Sequence, residues 1–296
     1  MRSTTRDRWA EWLAERRFGG DPAIRADVLG KLTEIRDHVL DRAELREGET
    51  LLDVGCGEGL LGFGALERGA GTVIFNDIST DLLDFCHKAA ADLGVLDRCR
   101  FVEASAADLE PIDGASVDAL TTRSVLIYVQ DKAAAFAEFG RVLRPGGRLS
   151  LWEPINRFGS QERWQDSFIG FPLGSSLEEL AEKLRAVYEA IQPPESDPML
   201  DFDERDLMRL AEGAGFFPIA LHLDAEVRSM PSREWEGFVD SAWNPNVPTL
   251  REAMEQALTS DECSRLTAHL RPLVERGEGV WRMATALLVA TKPEAA

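Results

Sequence analysis

The sequence predicts an α/β protein in which a mostly parallel sheet is covered by helices on both faces. Three observations carry this reading. Five short apolar runs, at 51–55, 72–77, 100–104, 117–123 and 148–153, alternate with helix-compatible stretches, as parallel strands joined by helical crossovers do. The first run leads into Asp53-Val54-Gly55-Cys56-Gly57-Glu58-Gly59, where alternate glycines permit a tight turn between a buried strand and a helix. The fifth follows Arg144-Pro145-Gly146-Gly147, in which Pro145 cannot continue a helix and the glycines turn the chain.

The elements can be read in order. Ahead of the sheet, 6–17 and 22–46 are predicted as amphipathic helices. In the second, Ile24, Val28, Leu32, Ile35 and Val39 recur at helical spacing, with Pro22 in its first turn and Asp21 as its cap. Leu60 to Glu67 supplies the helix after the glycine turn. Beyond Pro154 the alternation stops. An insertion at 155–202 holds one helix, 177–191, and ends in a Pro-rich stretch. The core resumes with a helix at 203–213, capped by Asp203, and a strand at 217–227. A second, mostly helical insertion follows at 232–277, and a last strand at 284–291. The chain thus divides into an N-terminal helical segment (1–48), a core (49–154), a helical insertion (155–202), a core continuation (203–231), a second insertion or cap (232–280), and a final strand with its tail (281–296).

Composition narrows the function. A chain of 296 residues with 44% hydrophobic content can bury a large core. It has no run of 18 apolar residues, so no membrane span is expected. Met1 to Arg17 is charged and unlike a leader. Four scattered cysteines, without a C-x-x-C pair or a histidine at metal-ligand spacing, point to reduced thiols, a cytoplasmic location and no metal site. Lys and Arg total 33 against 52 Asp and Glu, a net charge of −19. Residues 1–48 hold ten basic and ten acidic residues, so the acidic excess lies in the remainder. Such a field repels nucleic acid, and no basic stripe offsets it.

The glycine turn separates two ligand chemistries. Dinucleotide sites use G-x-G-x-x-G to bring a pyrophosphate to a helix N-terminus. Here the spacing is G-x-G-x-G, Leu60 stands at the last position of the dinucleotide pattern, and Asp53 would repel a phosphate. A carboxylate there suits a ligand carrying an ammonium or sulfonium group. Thr72 to Asp77 then reads as a second buried strand ending in an acid, 22 residues beyond Gly55, placed to accept hydrogen bonds from vicinal ribose hydroxyls. With Arg141-Val142-Leu143-Arg144-Pro145-Gly146-Gly147 further on, the chain resembles the class I S-adenosylmethionine-dependent methyltransferases, well over 49–154 and loosely over 203–227 and 284–293.

The resemblance implies a Rossmann-like sheet of seven strands, the last antiparallel and set beside the sixth. It also implies S-adenosylmethionine as cofactor and a small molecule as partner. The cofactor residues it implies are Asp53, Gly55, Gly57 and Gly59 in the turn, Asp77 on the ribose, and Ile78 against the adenine. Ser105 stands where many relatives have an Asp reaching the adenine amino group. It acts there or is a plain turn residue with Asp108 in its place, and Ala106 offers the neighbouring backbone N–H. Arg123, ending the fourth strand, could face the cofactor or pair with an acid. Methyl transfer asks for alignment and at most one general base. The candidates are Glu153 at the end of the fifth strand, as base or as a support of the adjoining loop, and Tyr128, as an orienting or a packing residue. Trp9, Trp12, Trp164, Trp235 and Trp243 would line an aromatic pocket or form core. The inserts and N-terminal helices would close as a lid or make contacts in a homo-oligomer. Non-methylating chemistry on the same cofactor, protein methylation and, most remotely, a dinucleotide-dependent oxidation are the alternatives.

Overall fold

The computed structural model describes residues 6–19, 22–160, 162–164 and 167–294. In order along the chain come α1 (Arg8–Glu11), α2 (Pro22–Arg42), β1 (Thr50–Val54), α3 (Leu60–Glu67), β2 (Thr72–Asp77), α4 (Thr80–Asp92) and β3 (Cys99–Glu103). There follow β4 (Val117–Arg123), α5 (Lys132–Val142), β5 (Leu143–Pro154), a short hairpin of β6 (Ser167–Phe168) and β7 (Phe171–Pro172), and α6 (Glu178–Ile191). The chain ends with α7 (Glu204–Gly213), β8 (Ile219–Ser229), α8 (Trp235–Val239), α9 (Leu250–Ala257), α10 (Ser260–Arg276) and β9 (Val280–Thr291). The Asp21 cap and the Ile24 side chain lie outside the described residues.

Seven strands form one sheet in the order β3-β2-β1-β4-β5-β9-β8. The first five pair in parallel, and β9 runs antiparallel between β5 and β8. Strand order reverses between β1 and β4, so the carboxyl ends of these strands open a crevice between diverging crossovers, the usual ligand position in such sheets. β1, β2 and β4 are buried almost throughout, as strands covered on both faces must be.

Several boundaries differ from expectation. β5 begins at Leu143, before the Pro-Gly-Gly segment, because Gly146 at φ 73° donates its N–H to the carbonyl of Lys292 at 2.8 Å. The sixth strand starts only after Pro218, which has no N–H to give the ladder. The region 232–277 is three helices. Pro245 and Pro248 interrupt it, and Thr249 and Thr259 restart it, each hydroxyl and the Glu three residues on closing a capping box.

The insertions have a core of their own. Phe168, Leu180, Leu184, Trp235, Leu250 and Leu270 belong to one buried cluster, with Trp12 of the N-terminal segment packed against it. A separate cluster lies between the sheet and α5, α7. The N-terminal segment joins the two parts. Asp7 accepts a hydrogen bond from the Ser79 hydroxyl beside β2. Trp12 Nε1 donates to the carbonyl of Ala242 at 2.8 Å, and Arg16 pairs with Glu252 at 2.6 Å. Among the described residues, no helix is long and apolar enough to cross a membrane.

Candidate active site

A cavity of about 1900 Å³ opens over the carboxyl ends of the parallel strands and continues under the insertions. Its size exceeds the roughly 300–1,000 Å³ of a typical single-ligand site, so it has room for two molecules side by side. The N-terminal segment roofs one part, with Trp9 meeting Tyr128 edge-on at 4.9 Å between ring centroids.

The glycine turn forms the floor of the sheet end. Gly55 has φ 64°, and a Cβ there would come within 2.3 Å of the Val125 side chain. Gly57, at φ 54°, lies on the cavity wall with Leu13 of the N-terminal segment across from it. Gly59, at φ 82°, precedes α3 and is not on the wall. Asp53 is also behind the wall. Fully buried, it accepts the Gly62 N–H at 2.8 Å in the first turn of α3, and burial pushes its carboxyl up to about 7. The sequence reading placed Asp53 toward the ligand; the structure spends it on the helix start.

Asp77 does face the cavity. One carboxylate oxygen accepts from Gly57 N at 2.9 Å and the other from Ser79 N at 3.0 Å, which fixes its plane. Burial raises its pKa. Each oxygen keeps a second lone pair for a further donor. The adjacent Ile78 is 51% exposed although it lines the cavity, an apolar surface available to a flat ring. Ser105 and Ala106 stand on the same wall, with the Ser105 hydroxyl accepting from Ala107 N at 3.2 Å. Asp108 is not on the wall and accepts from Glu110 N instead.

Of the two roles open to Glu153, base or support of the adjoining loop, the structure puts it in the second. It is fully buried behind the wall, and Oε1 accepts from Val125 N at 2.9 Å and Leu126 N at 3.0 Å. Its Oε2 has no partner, and burial raises its pKa to about 7. Glu153 therefore pins the loop that begins at Ser124, φ 55°, and carries Tyr128 to the cavity. Tyr128 is on the wall with its phenol pKa pushed up by burial, so it stays protonated.

Two guanidinium groups also reach this part of the wall. Burial, then the nearby positive charge of Arg17, lowers Arg123 to about 10, and burial lowers Arg17 itself. Neither forms an ion pair with a carboxylate among the described residues. Arg17 escaped the sequence reading because a single arginine in the charge-balanced N-terminal stretch carries no spacing signal. Of the tryptophans considered, Trp9, Trp12 and Trp243 line the cavity, while Trp164 and Trp235 pack in the core of the insertions. Trp152, on the wall, was not anticipated. No histidine lines the cavity, and no group of three or more His, Cys, Asp or Glu among the described residues is arranged to hold a metal.

The donor set fits S-adenosylmethionine: a glycine turn close to the ligand, an acid for two hydroxyls, an apolar face for a base, and unpaired cations for a carboxylate. Comparison with known proteins agrees. A family described as "Methyltransferase domain" matches residues 52–151. The ubiquinone/menaquinone biosynthesis C-methyltransferase UbiE of Hahella chejuensis is 31% identical over 205 residues, which cover 65% of this chain and 79% of that protein. UbiE of Escherichia coli O1:K1 is 30% identical over 206 residues, 66% and 79% of the two chains. The fold is shared with geranyl diphosphate C-methyltransferase from Streptomyces coelicolor A3(2), solved with Mg2+, geranyl diphosphate and S-adenosyl-L-homocysteine. That similarity has a TM-score of 0.52 at 18% identity, over 93% of this chain and 87% of that one. On its glycine turn, its strand order and these relatives together, the chain belongs to the class I S-adenosylmethionine-dependent methyltransferases.

Proposed function

We propose that this enzyme methylates an oxygen, nitrogen or carbon nucleophile of a small molecule enclosed under the insertions, by in-line displacement and without a metal. The observation that carries this reading is the single cavity that runs from the glycine turn to the insertions. When bound, S-adenosylmethionine supplies a methyl group on a sulfonium, already an activated leaving group. The protein's part is to bind, align and exclude water.

Each residue then has a defined task. Gly55 and Gly57 allow close approach to the cofactor, Asp77 receives the ribose hydroxyls, and Ile78, Ser105 and Ala106 border the adenine. Arg17 and Arg123 hold the cofactor's carboxylate. Tyr128 keeps its proton and orients the acceptor by donating a hydrogen bond, while Glu153 acts through the Val125–Leu126 backbone as a positioning residue. The N-terminal segment, tied to Ser79 on one side and to Ala242 and Glu252 on the other, serves as a lid. A roofed cavity suits a small acceptor better than a protein substrate, which needs an open groove.

The carboxylate assignment tests the cofactor half of this proposal. Arg17→Ala should weaken binding of S-adenosylhomocysteine by about tenfold or more, the usual scale for losing a hydrogen bond to a charged group. Affinity for the decarboxylated analogue should change little. Calorimetry with both ligands reads this directly, and equal losses for the two would remove Arg17 from the carboxylate.

A further inference from the structure

The cavity as a whole has a charge balance opposite to that of the chain. The protein carries a net charge of −19, yet the described residues of the cavity wall include eight cationic side chains against five acidic ones, from the N-terminal segment to the insertions. The acids are mostly committed. Asp197 accepts from Gln192 Nε2 at 2.9 Å and Met199 N at 2.7 Å, Glu275 pairs with Arg271 at 2.7 Å, and Asp131 caps α5.

Arg163 has no carboxylate partner among the described residues. It stands on the loop after Gly159, with its guanidinium carbon 5.9 Å from the Trp243 ring centroid. Burial alone lowers its pKa. The ring beneath it is fixed: Trp243 Nε1 donates to Gln192 Oε1 at 3.2 Å, and its ring lies 4.5 Å from that of Tyr188. Asn156, on the same loop and the same wall, has a buried Nδ2 with no hydrogen-bond partner. Arg282 also lines this region, its backbone lying against Gly159. A buried donor without a partner is costly, and a guanidinium is satisfied best by an anionic oxygen. Phe238 and Met230 complete an apolar surround.

We propose that Arg163, above Trp243 and on the same loop and wall as the unpartnered Asn156 amide, forms an anion subsite, so that the methyl acceptor is an organic acid: a carboxylate, sulfonate or phosphate on an apolar, ring-sized body. This rests on the methyl-transfer reading for what fills the other end of the cavity. The negative group binds under the insertions, which leaves the rest of the acceptor to reach toward Tyr128 and the cofactor.

A matched pair of fluorescent probes tests the subsite without knowledge of the substrate. 8-Anilinonaphthalene-1-sulfonate and N-phenyl-1-naphthylamine share their rings and differ in the sulfonate. Both are titrated against the whole protein, with and without saturating S-adenosylhomocysteine. The expected result is a preference of about tenfold or more for the sulfonate, from its charge-assisted contacts. That preference should disappear in Arg163→Gln and survive in Arg163→Lys and in Arg157→Gln, whose arginine is exposed and off the cavity wall. Circular dichroism checks each fold; should Arg163→Gln not fold, Arg163→Met makes the same comparison. Equal binding of the two probes, binding of neither, or a preference that survives loss of the Arg163 charge overturns the proposal. Calorimetry with S-adenosylhomocysteine on the same samples separates the two readings. A sulfonate preference in a protein that does not bind that ligand would overturn the methyl-transfer reading and leave the anion subsite standing.

Discussion

Asp77→Ala is expected to weaken binding of S-adenosylhomocysteine by about 2–4 kcal/mol, roughly 30- to 800-fold, because two charge-assisted hydrogen bonds to the ribose are lost from a buried site. The carboxylate is already oriented by the backbone N–H groups of Gly57 and Ser79, so the wild type needs no rearrangement to receive the hydroxyls. The same contacts mean that the substitution loosens the glycine turn. Asp77→Asn separates the two effects, since an amide oxygen still accepts one backbone bond while the charge is gone. Both variants should remain folded, as Asp77 ends its strand and its side chain lies outside the hydrophobic clusters. Calorimetry showing unchanged affinity in folded Asp77→Ala would refute the ribose assignment.

Glu153→Gln should change how stability depends on pH. The buried carboxyl titrates near 7 in the folded protein against its ordinary 4.5. Below the lower value it is protonated in both states, and burial has no electrostatic cost. As pH rises from 4.5 toward 7 the unfolded chain ionises first, so the wild type loses stability across this window, and the loss levels off above 7. The shift corresponds to about 3 kcal/mol at one pKa unit per 1.36 kcal/mol. Glutamine does not titrate. The stability of Glu153→Gln relative to wild type should therefore rise by about 3 kcal/mol between acid and neutral pH, whatever the constant offset between them. Denaturant melts at several pH values give the two curves. Parallel curves would show that the carboxyl is not held neutral in the fold.

Much of the cofactor half was legible in the sequence, for a physical reason. A turn this tight must be glycine, as at Gly55, where φ is 64° and a side chain would collide with Val125. An acid that ends a buried strand has few places to go, and Asp77 went to the cavity. Glu153 shows where this logic fails. β5 is buried on both faces over much of its length, so alternation cannot say which side a given residue takes, and Glu153 turned to the loop. Asp53 is similar, because a helix N-terminus competes with a ligand for the same carboxylate.

The other half was not legible at all. Asn156 and Arg163 come from the loop after β5, without period or motif, and reach the cavity wall only because the insertions fold onto one another. The helices of the insertions were readable from spacing, as α6 shows. Their joint core was not, since amphipathic stripes do not name the partner that covers them. The glycine spacing was the decisive signal for the family and carried nothing about the acceptor.

The central claim is that the crevice at the carboxyl ends of β1, β2 and β4 holds a methionine-derived nucleoside and not a dinucleotide. Isothermal titration of the purified protein with S-adenosylmethionine, S-adenosylhomocysteine and NAD tests it most directly. The account predicts saturable binding of the first two at one site per chain and no heat from NAD. Micromolar binding of NAD, with no response to either methionine-derived ligand, would contradict it.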